Sequence, residues 1–169
     1  MPAPLGYLLT WTTYATWLPG DARGWVDKHD AGADVPYQRP DAAKNAAARA
    51  RMSESAVRLS RRARDAVDAA IRETCAYRGW PVHALSVRSN HVHAVVTAGG
   101  VEPGWARKTL KSYGTRALNR LQPTPRRRHW WTQGGSDRYL NDERSLQAAV
   151  RYVLNQDEKH SRGGVQCSD

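Results

Sequence analysis

Residues 6–15 (GYLLTWTTYA) are dense in β-branched and aromatic types, which predicts a strand. Pro19-Gly20 and Gly24 then break the pattern, so 16–26 (TWLPGDARGWV) reads as a structured loop. Residues 27–42 are polar and interrupted by Gly32, Pro36 and Pro40, the mark of a long surface excursion, and the alanine-rich stretch 41–52 suits either a short helix or an arm. Ser53 and Ser55 offer N-caps for a helix in which Leu59, Ala63, Ala66, Val67, Ala70 and Ile71 recur at helical spacing to about Tyr77, where Gly79 stops it. Two strand-like runs, 81–88 (PVHALSVR) and 91–97 (HVHAVVT), flank Ser89-Asn90 as a hairpin. Helical spacing returns over 101–121, with Leu110, Tyr113, Ala117, Leu118 and Leu121 on one side, until Pro123 and Pro125 break it. Trp130-Trp131-Thr132 and Arg138-Tyr139-Leu140 are short strand candidates around Gly134-Gly135. Asp142 caps a last helix through Leu146, Ala149, Val150, Val153 and Leu154.

The order strand, helix, strand, strand, helix, strand, helix predicts an α+β fold. Its first six elements match the ferredoxin-like βαββαβ plan, an antiparallel sheet with helices on one face. The C-terminal helix is extra and can lie across the sheet only if something on it faces the strands. The expected organisation is one domain over 1–158, with a surface insertion at about 27–52 and a tail at 159–169.

Charge points to a partner. Lys and Arg number 26 against 16 Asp and Glu, for a net +10, among 169 residues. Such a field attracts polyanions, of which nucleic acid is the commonest met by a soluble protein. Seven Trp, seven Tyr and no Phe supply flat amphipathic rings that could stack on unpaired bases or simply fill the core. The two cysteines, Cys75 and Cys167, are far apart and form no zinc spacing. No apolar run is long enough for a membrane span and the N-terminus lacks a signal-peptide pattern, so a cytoplasmic, membrane-free protein is expected.

His91 and His93 are two apart in a predicted strand, so their imidazoles leave one face about 7 Å apart along the chain. Both can reach one cation if a third ligand comes from elsewhere. Tyr152 and Gln156, four apart, share a face of the last helix. Each of the four has an ordinary structural explanation; together, with the charge and the fold order, they suggest a site in which Tyr152 stands above a His91, His93, Gln156 centre. Arg61, Arg62, Lys108, Lys111, Arg116, Arg120, Arg126, Arg127 and Arg128 are candidate phosphate contacts, with a solvated surface as the competing account. Rivals are weaker. Gly99 and Gly104 hold the spacing of a phosphate loop, but Trp105 stands where its lysine belongs. Tyr113 has Ala117, not an oxygen ligand, one turn on; Tyr139 is a further rival, and His83 is expected on the opposite sheet face.

His91-Val92-His93 within SNHVHAVV resembles the HUH motif (His, hydrophobe, His) of single-tyrosine transposases, and YVLNQ, ending in Gln156, is similar to that family's Tyr-x-x-x-Gln helix. The likeness extends to the small insertion-sequence transposases and the REP-associated tyrosine transposases, through TWTTYATWLPG and WWTQGGSDRYL. Residues 27–52 have no clear counterpart, and Ser89 and Asp157 stand where prolines are common. The resemblance implies a metal-dependent endonuclease and strand transferase acting on single-stranded DNA, with hairpin or palindromic repeat ends. Tyr152 would form a 5′-phosphotyrosine, and Mg²⁺ or Mn²⁺ would be held by His91, His93 and Gln156. It leaves a monomer and a homodimer equally open. The alternative is a non-catalytic, domesticated nucleic-acid-binding protein of the same fold.

Overall fold

A computed structural model of the chain describes residues 3–25, 38–122 and 125–161, the side chains of 156–161 excepted. Residues 27–37 of the excursion at 27–52 and the tail beyond 161, including Cys167, therefore lie outside the described residues. The element order is β1 (Gly6–Thr12), α1 (Ala42–Ala50), α2 (Arg61–Arg78), β2 (Val82–Val87), β3 (His91–Val96), α3 (Pro103–Leu121), β4 (Ser136–Leu140) and α4 (Glu143–Ser161). The four strands form one antiparallel sheet in the order β2-β3-β1-β4.

Period-two alternation decides which side of this sheet each residue serves. Tyr7, Leu9 and Trp11 of β1, with Val92, Ala94 and Val96 of β3, face α2 and α3 and share a core with Val67, Ile71, Leu110 and Leu118. The alternate residues Leu8, Ala84, Val95 and Leu140 face α4 and pack on Leu146, Ala149 and Val153. The helices thus occupy both faces: two on one side, as the βαββαβ plan requires, and the extra helix on the other.

Several boundaries shift for local reasons. Helix α2 is capped by Ser60, whose side chain accepts from the Ala63 N–H, and not by Ser53 or Ser55. The intervening segment is extended because it is needed as wall: Val57 and Leu59 are buried, the Val57 N–H donates to Tyr14 O at 2.9 Å, and the Leu59 N–H to Ser89 O at 2.7 Å. Strand β1 ends at Thr12, short of residue 15, because Thr13 becomes a junction; its buried hydroxyl donates to Val57 O at 2.7 Å. Trp131 makes only an isolated bridge to Thr13, since its ring is turned into the core and its Nε1–H donates to Lys111 O and Thr115 Oγ1. Gly114 permits that packing: a Cβ there would lie 3.2 Å from the Trp131 ring. Helix α1 forms where the alanine-rich stretch allowed one, with Asp41 accepting from the Lys44 N–H. Gly79 ends α2 in the left-handed region, with φ of 67°.

Candidate functional site

The β2–β3 hairpin places the histidines. The Arg88 N–H donates to His91 O at 2.8 Å, which closes the turn at Ser89-Asn90. That turn is tied down from two directions: Thr13 N–H donates to Asn90 O at 2.8 Å, and the segment entering α2 holds Ser89 O. His91 and His93 then follow on the α4 side of β3, opposite Thr12 and Thr10 of β1, with ring centroids 4.8 Å apart. A bulge between Val82 and Ala84 takes His83 out of the regular alternation; it is exposed, with a ring nitrogen 2.7 Å from Thr97 Oγ1.

Both rings are oriented through the nitrogen nearer the backbone. His93 Nδ1 lies 2.8 Å from Thr10 Oγ1, and His91 Nδ1 lies 2.7 Å from Asn90 Oδ1. The Asn90 side-chain oxygen can only accept, so His91 donates from Nδ1 and would ligate through Nε2; the Thr10 hydroxyl, which can donate or accept, fixes the orientation of the His93 ring through its Nδ1. Burial, then the proximity of His91 and of Arg88, pushes the His93 pKa down to about 4. That ring is therefore neutral at physiological pH, the state a metal ligand needs.

Helix α4 brings the phenol. It begins after Asp142, whose carboxylate accepts from the Ser145 N–H at 2.7 Å, and Leu146, Ala149 and Val153 anchor it to the sheet. Tyr152 is the neighbour of Val153 and is 49% exposed, yet its ring centroid lies 5.5 Å from that of His93, nearly edge-on. The phenol and the two imidazoles thus converge within one protomer. Gln156 belongs to α4, four residues beyond Tyr152, and its side chain lies outside the described residues. Among the described residues no three His, Cys, Asp or Glu side chains cluster as a metal cage. Two oriented imidazoles nevertheless suit a divalent ion that takes further oxygen donors from a neighbouring amide or a bound phosphate.

The basic candidates are spread over different settings. Arg61 and Arg62 are exposed in the first turn of α2, close to the hairpin turn because Leu59 bonds to it. Lys108, Arg116 and Arg120 are exposed along α3, on the far side of the sheet from Tyr152, and Arg116 covers the Tyr113 ring at 4.7 Å. Lys111 differs: its ammonium donates to Thr132 O at 2.7 Å and Gly134 O at 2.9 Å, and burial brings its pKa down to about 8. Arg126 and Arg128 are exposed, whereas Arg127 is half-buried, donating to Ser55 and lying over Trp130. The sequence reading did not single out Thr10, or the Arg107–Asp137 pair that clamps α3 to β4 with contacts of 2.6 and 2.9 Å. Thr10 had at most a weak signal, since β1 carries two threonines, Thr10 and Thr12, among its aromatic and aliphatic residues; Arg107 had none, because one arginine in a basic helix looks like the rest.

Comparison with known proteins agrees with this architecture. No curated protein matches the chain. A solved structure described as a "putative transposase" from Deinococcus radiodurans R1 is 17% identical, with a TM-score of 0.46, over 92% of this chain and 93% of that one. A REP-associated tyrosine transposase, solved bound to a REP hairpin, is 11% identical with a TM-score of 0.51, over 94% of this chain and 70% of that one. It shares the four-stranded antiparallel α+β fold. The family model described as "Transposase IS200 like" matches residues 51–156, from the segment entering α2 to the end of YVLNQ. Because that match spans more than half of the chain, and both histidines and Tyr152 lie inside it, the chain belongs to the IS200-like transposases, a family of DNA-cleaving enzymes.

Proposed function

We propose that this protein cuts and rejoins single-stranded DNA through a 5′-phosphotyrosine on Tyr152, with His91, His93 and Gln156 holding a divalent ion. The observation that carries the reading is the convergence of Tyr152 with the oriented histidine pair inside one protomer. Half exposure of Tyr152 leaves its hydroxyl accessible to a DNA backbone.

The deprotonated Tyr152 oxygen attacks a phosphorus in line and forms the tyrosine–phosphate bond. The bond to the 3′ oxygen breaks; that oxygen leaves with the electron pair, takes up a proton and becomes a free 3′-hydroxyl. Attack of a 3′-hydroxyl on the phosphotyrosine reverses these changes and joins strands, so no nucleotide cofactor is consumed. A bound Mg²⁺ or Mn²⁺ would offset the negative charge that develops on the phosphate oxygens. Imidazole donors favour Mn²⁺, and a ligand set without negative charge holds either ion loosely until phosphate joins it. Thr10 and Asn90 keep the imidazoles aimed, and Val153 keeps Tyr152 in place.

The partner is single-stranded DNA with hairpin or palindromic ends. The +10 charge and the exposed Arg61, Arg62, Lys108, Arg116, Arg120, Arg126 and Arg128 support it. The fold neighbour solved with a REP hairpin binds the same class of ligand. Among the described residues no helix is long and apolar enough to cross a membrane. A homodimer is compatible with this reading, but cutting would not require one.

The test is incubation with Mn²⁺ and 3′-labelled single-stranded DNA from the flanks of its gene. The expected result is a covalent protein–DNA adduct on a denaturing gel, absent in Tyr152→Phe. Tight binding with no adduct in the wild type would establish the non-catalytic nucleic-acid-binding alternative instead.

A further inference from the structure

The face of the sheet that carries the histidines is only partly roofed. Helix α4 starts over β1, where a Cβ on Gly6 would lie 3.6 Å from Leu146 Cδ1, and continues over β2 and β3. It packs on Leu8 of β1 and Leu140 of β4, but on the same face it leaves Ser136 and Arg138 of β4 exposed. Directly paired residues of antiparallel strands project to the same side. His93 pairs with Thr10, Thr10 with Ser136, and Leu8 with Arg138. Thr10, Ser136 and Arg138 therefore share the side of His91, His93 and Tyr152; Ser136 and Arg138 are exposed and Thr10 is half-buried. Asp137, between Ser136 and Arg138, points through to the other side, where Arg107 engages it.

This pattern lacks the chemistry of a packing surface. On the roofed part the same face offers Ala84, Val95, Leu8 and Leu140. On the open part it offers hydroxyls and a guanidinium. From the His93 backbone to that of Arg138 is two strand spacings across, roughly 10 Å, and two residues along, roughly 7 Å. An arginine side chain spans much of that gap, so its head can meet a backbone phosphate beside the one held at the histidines. Thr10 Oγ1, 2.8 Å from His93 Nδ1, lies on the path between the histidines and Ser136.

We infer that Arg138 is a DNA-positioning residue, binding a backbone phosphate next to the one nearest the histidines so that the strand runs from His91 and His93 over Thr10 and Ser136. The inference rests on the single-strand DNA reading above but not on cutting.

It is tested by fluorescence anisotropy of a fluorescein-labelled oligothymidylate, titrated with the full chain between about 50 and 200 mM salt. Each phosphate contact to a single strand adds about 0.7 to the slope of log affinity against log salt. Arg138→Ala should lower the slope by about 0.7 and weaken binding roughly fivefold at the low-salt end. Arg138→Lys, which keeps the charge, should retain the slope. Arg72→Ala, which removes an equal charge where Arg72 pairs with Asp68 on α2, should behave as wild type. Equal slopes for wild type, Arg138→Ala and Arg72→Ala would overturn the inference, as would equal losses for Arg138→Ala and Arg72→Ala. A selective Arg138 effect in a protein that forms no Tyr152 adduct would uphold this contact while refuting the cutting reaction.

Discussion

The two faces of one four-stranded sheet have been put to different uses. Under α2 and α3, Tyr7, Leu9, Trp11, Val92, Ala94 and Val96 build a continuous apolar layer, with Leu9, Val92, Ala94 and Val96 fully buried. Under α4 the alternate positions are mixed: Ala84, Val95 and Leu140 pack, while His91, His93, Thr10 and Ser136 do not form a hydrophobic layer. The strands carry both jobs because alternate side chains point to opposite sides. Stability can then reside on the two-helix side while polar chemistry is tolerated on the one-helix side. Substitutions on the two sides should accordingly fail in different ways.

Tyr152→Phe carries the largest expected effect: loss of at least about 10³-fold in adduct formation on a denaturing gel. Its melting temperature should stay with wild type, because the hydroxyl removed is on a half-exposed ring. A large drop in stability would blur the division between the faces. On the other side, Ile71→Ala, a fully buried residue of α2, should destabilise by about 3–4 kcal/mol in urea unfolding. The protein that remains folded should still form the adduct.

His93 sharpens the comparison, being both buried and polar. Its folded pKa lies near 4, below the ordinary imidazole value. The unfolded chain therefore binds more protons between those two values, and stability rises with pH across that window. In metal-free buffer, unfolding at pH 5 should be easier than at pH 7 by about 2 kcal/mol from this residue alone. Parallel melts of His93→Gln isolate the contribution; an unchanged pH slope in that variant would refute it. The smallest effect is the most local. Thr10→Val removes the hydroxyl that aims His93 and should weaken Mn²⁺ binding roughly tenfold, read by calorimetry, with little change in melting temperature.

Much of this was legible without coordinates. The alternation in GYLLTWT, the helical spacing from Ala63 to Ile71, Gly79 as a stop and the Ser89-Asn90 turn all arise from interactions between near neighbours, so they leave a mark in the sequence. The His-x-His spacing and the Tyr152–Gln156 interval are equally local. The start of α2 was not legible. Ser53, Ser55 and Ser60 are all competent caps, and only the burial of Val57 and Leu59 beneath residues distant in sequence selects Ser60. The bulge that releases His83 from the alternation likewise depends on pairing with β3.

The sequence by itself determined the charge of the protein, the kinds of element it forms and which side chains could do chemistry, because these depend on residue identity and on spacings of two to four positions. Only the tertiary structure decided that α4 crosses the face opposite α2 and α3, that Tyr152 meets the histidines of its own chain, and that Thr10 and Asn90 orient those rings. These relations join residues as far apart in sequence as Thr10 and His93, or Gly6 and Leu146. They are set by which apolar surfaces bury one another, and no local pattern records that.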